Sequence, residues 1–273
     1  MARITVIGEH WSTLSAAARL AAAGHDVSIV ASVPVSNSPL NITLPAALRD
    51  LFLKTGSALE ETIELIDLEF MFQSTINGKE FAMPGVGVGA AVTAVSTTFG
   101  VESGTEWKSV MAKAQVRWDS IRLTVEEPAA NKSASWWKRT PSLKHRLRAV
   151  SPSVAQVMRL SVTSQLDESE VLMADHIVVP YVASTFGMYS VVGGRQALHH
   201  ALAHRCSQLG VATINHHSES DFVVIDSRYS PVQIPHAIDI NMYRRIGPSV
   251  AMSVLAGSAV SKAITQRLRL DGG

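Results

Sequence analysis

Three observations in this 273-residue sequence predict an α/β fold interrupted by helices. The chain opens with a β-branched run, Arg3–Gly8, an alanine-rich segment, Ser12–Ala23, and a second β-like run, Asp26–Val30, which is the order strand, helix, strand. Its last third returns to the same alternation, with a helix pattern at Gln196–Leu209 and short strand patterns at Val211–Asn215 and Phe222–Asp226. Between these ends the apolar residues recur mainly at helical spacing. Strand and helix material at both ends of the chain predicts one domain split between residues 1–45 and 177–273, carrying an inserted, mainly helical lobe at 46–176.

Composition narrows the class. A hydrophobic fraction of 47% with 17% charged residues describes a well-packed globular protein or one that handles an apolar ligand. The formal net charge of +1 gives no electrostatic case for nucleic acid as a partner. A single cysteine, Cys206, excludes an internal disulfide framework and fits a reducing cytoplasm. The apolar N-terminus contains Arg3, Glu9 and His10 and reads as strand and helix rather than as a signal peptide. No run approaches the roughly 18 apolar residues of a spanning helix.

The elements follow in order. Gly24 caps the first helix, and the proline- and asparagine-bearing stretch Val33–Thr43 reads as a loop leading into a helix near Leu44, with Pro45 suited to its first position. Ala46–Thr55 and Ser57–Ile66 carry apolar residues at helical spacing, separated by Gly56. Phe70–Phe81 reads as a hairpin turning at Asn77-Gly78, and Pro84–Gly89, without a Lys-Ser/Thr pair, as a flexible connector rather than a phosphate loop. Val101–Val125 reads as one amphipathic helix with Trp107, Val110, Met111, Ala114, Trp118 and Ile121 on a shared stripe, a pattern commoner in cores than in ligand boxes.

Asn131–Val150 gathers Lys132, Lys138, Arg139, Lys144, Arg146 and Arg148 without an acidic residue, behind the pair Trp136-Trp137. Two readings fit it: docking onto an anionic membrane surface through Trp136, Trp137, Lys138 and Arg139, or a solvated helix face with the tryptophans turned inward. Ser151–Ser164 and Asp167–Asp175 continue as helices, Ile177–Val182 is apolar and β-like, and Gly193-Gly194 turns the chain. The last helix runs from about Ser249 to Leu268 behind Gly247-Pro248.

The opening unit has the form of a Rossmann-type βαβ and lacks much of its chemistry. The three glycine positions of the dinucleotide fingerprint read Gly8, His10 and Thr13, and the acidic position expected near Ala31 or Ser32 carries no carboxylate. Glu9 adds negative charge where the pyrophosphate would sit. His10 projects near that position, so two readings stand. It serves as an acid–base group, or with Trp11 it plugs an abandoned cofactor cleft. Among the other histidines, His200 and His204 stand one helical turn apart, and His216-His217 lies near Glu219 and Asp221, but neither set completes a ligand shell and no metal is predicted. No nucleophile motif is present. Ser227 and Ser230 lie in a turn-like stretch, and Cys206 sits in a helix pattern as a small buried residue.

Four stretches share a resemblance: the βαβ opening, Asn41–Glu61, Val178–Val211 and Ile246–Ile264. Together they resemble the phytoene-desaturase-like branch of the FAD-dependent amine-oxidase superfamily, in a shortened and degenerate form. The resemblance implies an FAD-type nucleotide-binding domain with a substrate lobe, and it makes Gly8, Gly194 and Gly247 survivors of flavin-contacting motifs. It also makes Val178–Val192, with Tyr181, Phe186 and Tyr189, one wall of a substrate pocket that Trp107 and Trp118 face from the helical middle. Two family segments have no counterpart. The glycine–arginine motif that follows the second strand finds no room between Ser32 and Asn41, and the later sheet finds none between Asp226 and Gly247. The expected protein holds an apolar, isoprenoid- or polyene-like molecule and no tightly bound cofactor. It serves as an accessory subunit of a full-length enzyme or as a flavin-independent acid–base enzyme. The alternatives are an active FAD-dependent oxidoreductase, completed across a homodimer, and a peripheral interaction protein at the inner face of the membrane.

Overall fold

The computed structural model describes residues 1–31, 38–126, 150–165, 177–216, 220–225, 237–240 and 250–271, with backbone alone for 121–126. The expectations for Ser32, for Asn131–Val150 with Trp136, Trp137, Lys138 and Arg139 (Val150 itself apart), for Asp167–Asp175, and for His217, Glu219, Ser227, Ser230, Gly247 and Pro248 lie outside the described residues.

The main sheet is parallel and doubly wound. It is built from β1 (Arg3–Ile7), β2 (Asp26–Val30), β8 (Ala212–Ile214), β9 (Phe222–Ile225) and β10 (Ile238–Asp239), in the order β10-β9-β1-β2-β8. Both chain ends therefore supply strands to one sheet. β1 is central, with Ile4 beside Val27 on one side and Phe222 on the other. Ile4, Thr5 and Val6 are all buried, as a parallel strand covered on both faces requires, and this is why the run is β-branched throughout. The spatial order places the topological switch between β1 and β9.

α1 (Trp11–Ala22) follows β1 and leaves through Ala23 and Gly24, where the Gly24 and His25 amides donate to Ala21 and Leu20 carbonyls. The last helix, α8 (Val250–Asp271), lies against α1. Contact between them is close because residue 257 is glycine: a Cβ there would stand 2.5 Å from the Ser12 carbonyl oxygen and 2.8 Å from the Ala16 nitrogen. Ser15 completes the seam by donating its hydroxyl to the Val254 carbonyl at 3.0 Å. α7 (Gly194–Gln208) also packs on α1, and α2 (Ala46–Lys54) packs on α8.

A second, antiparallel sheet has the order β3-β7-β4, from Asn41–Thr43, Met188–Val191 and Leu65–Asp67. Two expectations change here. Asn41–Thr43, read as loop, is β3, fixed by pairing Ile42 with Tyr189. Ser57–Ile66, read as helix, holds only a 3₁₀ turn at Leu59–Glu61 before β4, because the short apolar spacing is satisfied by Leu59 and Ile63 entering the core. The hairpin is as expected: β5 (Phe70–Ile76) and β6 (Lys79–Pro84) pair across Asn77-Gly78, both residues having positive φ, as a type I′ turn demands.

α3 (Val88–Phe99) begins inside the stretch read as a connector, and α4 (Val101–Glu126) packs along it. α5 (Pro152–Thr163) matches the sequence reading. Ile177–Val182, read as β-like, is part of helix α6 (Val178–Phe186). Val178, Pro180, Tyr181, Val182, Ala183 and Ser184 are all buried, so the helix is covered on most sides and its apolar run shows no single face. Among the described residues no helix is long and apolar enough to cross a membrane.

Candidate functional site

The turn between β1 and α1 is where a nucleotide would be sought. Gly8 donates its amide to the Val30 carbonyl at 3.1 Å with φ of +92°, and a Cβ there would meet nothing within 4 Å. Backbone conformation, and not a crowded approach, is what this glycine serves. His10 caps the helix: its amide donates to Thr13 Oγ1 at 2.9 Å, and the Thr13 hydroxyl donates to the His10 carbonyl at 2.9 Å. Thr13, standing where the fingerprint has its third glycine, is thus a built-in cap.

This turn does not fit a dinucleotide pyrophosphate. The group needs open backbone amides at the helix start, whereas Ser12 and Thr13 are 0% exposed and Trp11 is 4% exposed. Trp11 lies in the core, its ring 5.8 Å from that of His10, so the plug expected from both residues reduces to His10 at the half-buried rim. α8 packs on the first turns of the same helix through Gly257. At the end of β2 the exposed Ala31 offers no carboxylate for a ribose.

His199, on α7, faces this turn. Burial lowers its pKa, against the raising influence of the Glu9 charge and a backbone hydrogen bond to Glu9. Its Nε2 is buried and has no hydrogen-bond partner among the described residues. His200 stacks edge-on against His199 at 6.1 Å, and His204 pairs with Gln208 at 3.0 Å. Among the described residues no three metal-ligating side chains gather in one place. Cys206 is buried, and burial pushes its thiol up to about 12, well outside the range of a nucleophile at neutral pH.

Gly194 lies where two chain segments meet. Its Cβ would collide with the Ser38 carbonyl oxygen, which also accepts the Arg195 amide at 2.9 Å, so glycine here lets two chain segments cross.

A groove of about 420 Å³ lies between α2, α4, α6 and α8. Its lining includes Leu44, Ala47, Trp118, Phe186, Met252 and Leu255, with Asp50, Lys54, Ser258 and Lys262 toward its polar part. Trp118 and Phe186 form an aromatic pair with ring centroids 5.8 Å apart at 59°, and Phe186 remains 37% exposed. Two of the five aromatics expected around a pocket therefore meet there. Trp107 is instead fully buried in the core and Tyr181 nearly so, while Tyr189 sits on β7 with its hydroxyl directed at the Phe186 carbonyl. The residues that the sequence did not single out are those of α2 and α8.

No protein-family model and no curated protein sequence matches the chain. Solved structures do resemble it at low identity. Putrescine oxidase matches at 16% identity over 84% of this chain and 60% of its own, with a TM-score of 0.46. A Rab GDI from Plasmodium falciparum matches at 10% identity over 84% of this chain and 66% of its own, with a TM-score of 0.41. A flavin-dependent halogenase from Brevundimonas sp. BAL3 matches at 13% identity over 82% and 42%, with a TM-score of 0.36. The chain thus spans two thirds or less of each of these structures, and its Rossmann-like α/β fold rests on its own strand order.

Proposed function

We propose that this chain is a flavoprotein-like binding protein for an apolar small molecule, seated in the groove between α2, α4, α6 and α8, and that its nucleotide turn no longer holds FAD. The Trp118–Phe186 pair carries this reading. Phe186 remains 37% exposed at the groove, packed on a Trp118 that is buried beneath it, which leaves aromatic surface for a ligand to cover. A volume of about 420 Å³ lies within the range of roughly 300–1,000 Å³ that small-molecule sites occupy. The burial of Ser12 and Thr13 supports the second half of the proposal.

Titration of the purified protein with dodecanol and, separately, with FAD tests both halves. The expected result is saturable dodecanol binding near one equivalent and flavin absorbance that dialysis removes. Retention of about one equivalent of FAD, with no dodecanol uptake, would overturn the reading in favour of an FAD-dependent oxidoreductase.

A further inference from the structure

The groove has a direction. Along α2 its lining runs Ala46, Ala47, then Asp50 and Lys54; along α8 it runs Met252, Leu255, then Ser258 and Lys262. Both stripes pass from apolar to cationic. The two helices also point the same way. Arg205, near the end of α7 and just before β8 begins, donates from Nε to Thr55 Oγ1 at 3.1 Å, which sets the end of α2 beside the amino edge of the sheet. Arg267, near the end of α8, lies over the Phe222 ring at 5.8 Å, and Phe222 is the first residue of β9 on that same edge. Lys54 and Lys262 therefore mark one end of the groove, and the apolar lining marks the other.

Charge at the polar end is unbalanced. Asp50 is already engaged, by Arg19 at 2.7 Å and by Lys54 at 3.0 Å. Lys262 is exposed and has no carboxylate partner among the described residues. The lining at this end thus holds two lysines and one carboxylate, and that carboxylate is also engaged by Arg19 from outside the lining. From Met252 to Lys262 the α8 stripe rises about 15 Å, enough to lay a medium-length alkyl chain along it.

From this gradient we propose that the occupant is an anionic amphiphile, with its apolar chain on Trp118, Phe186 and Leu255 and a carboxylate or phosphate head between Lys54 and Lys262. The proposal rests on the apolar-groove reading above and adds the head group to it. A cationic or neutral head gains nothing from this end, because the one carboxylate is held by Arg19 and Lys54.

Calorimetric titration with dodecanoate, dodecyl phosphate and dodecanol, each below its critical micelle concentration, tests it in the wild type and in the Lys54→Gln/Lys262→Gln variant. The anionic probes should bind about tenfold tighter than dodecanol to the wild type, and the double variant should erase that margin while leaving dodecanol affinity unchanged. The tighter of the two anions then assigns the head as carboxylate or phosphate. Both lysines are exposed, so the variant should keep the wild-type circular dichroism, with only a small fall in melting temperature from loss of the exposed Lys54–Asp50 pair. Equal binding of all three probes, or a preference for anions that survives in the double variant, would overturn this inference and leave the apolar groove standing. Absence of binding by every probe would overturn both.

Discussion

At the scale of single residues, the account depends on a few side chains whose surroundings allow no alternative. Gly257 is the clearest, since α8 rests on α1 only because residue 257 has no Cβ. Replacing it with leucine should push the helices apart and destabilise the fold by about 2–3 kcal/mol, read as a lower midpoint in urea unfolding. Asp50 makes a second case. Burial raises its pKa, but hydrogen bonds and charge from Arg19 and Lys54 outweigh that, so the folded carboxyl titrates below its ordinary value. A depressed folded pKa contributes stability above the unfolded value and loses it as the pH falls through the folded one. Stability should therefore drop below about pH 4, and Asp50→Asn should flatten that part of a pH series of thermal melts.

Helices and strands show which signals are local and which are not. The βαβ opening was legible because its β-branched run, alanine-rich helix and Gly24 cap are encoded within one stretch, and the hairpin because Asn77-Gly78 specifies its turn. α6 was misread since a run such as Ile177–Val182 satisfies either period until its burial is known. α3 escaped notice because its small, uncharged residues show no contrast between faces. The α4 stripe was legible as a helix face, though not in its division of labour. Both tryptophans are buried, but only Trp118 also lines the groove. Trp107→Ala should cost about 3–5 kcal/mol in denaturant unfolding. Trp118→Leu should keep the secondary structure, measured by circular dichroism, at a lower unfolding midpoint, and weaken dodecanol binding by about tenfold.

For the whole molecule, the sheet order explains what a linear reading could not supply. Strands from both chain ends join around β1, which brings α2 from near the beginning against α8 from the end. The groove is a product of that closure, which brings Lys54 and Lys262 from distant parts of the chain to its lining. One signal was available in retrospect: the spacing of Ala47, Asp50 and Lys54, matched by Leu255, Ser258 and Lys262, each turning from apolar to polar along a single face. The missing glycines of the nucleotide turn were legible in Gly8, His10 and Thr13, but the capping role of Thr13 was not. Thr13 caps the helix and α8 packs on its first turns, while Gly8, Glu9 and His10 stay half-buried at the rim.

Photo-crosslinking with a diazirine-bearing dodecyl probe, followed by mass mapping of the labelled peptides, tests this account most directly. The label should fall on the peptides holding Ala47, Trp118, Phe186 and Leu255, and excess dodecanol should suppress it. Labelling concentrated at Gly8–Thr13, or spread without competition over the surface, would contradict the assignment of the groove as the binding site.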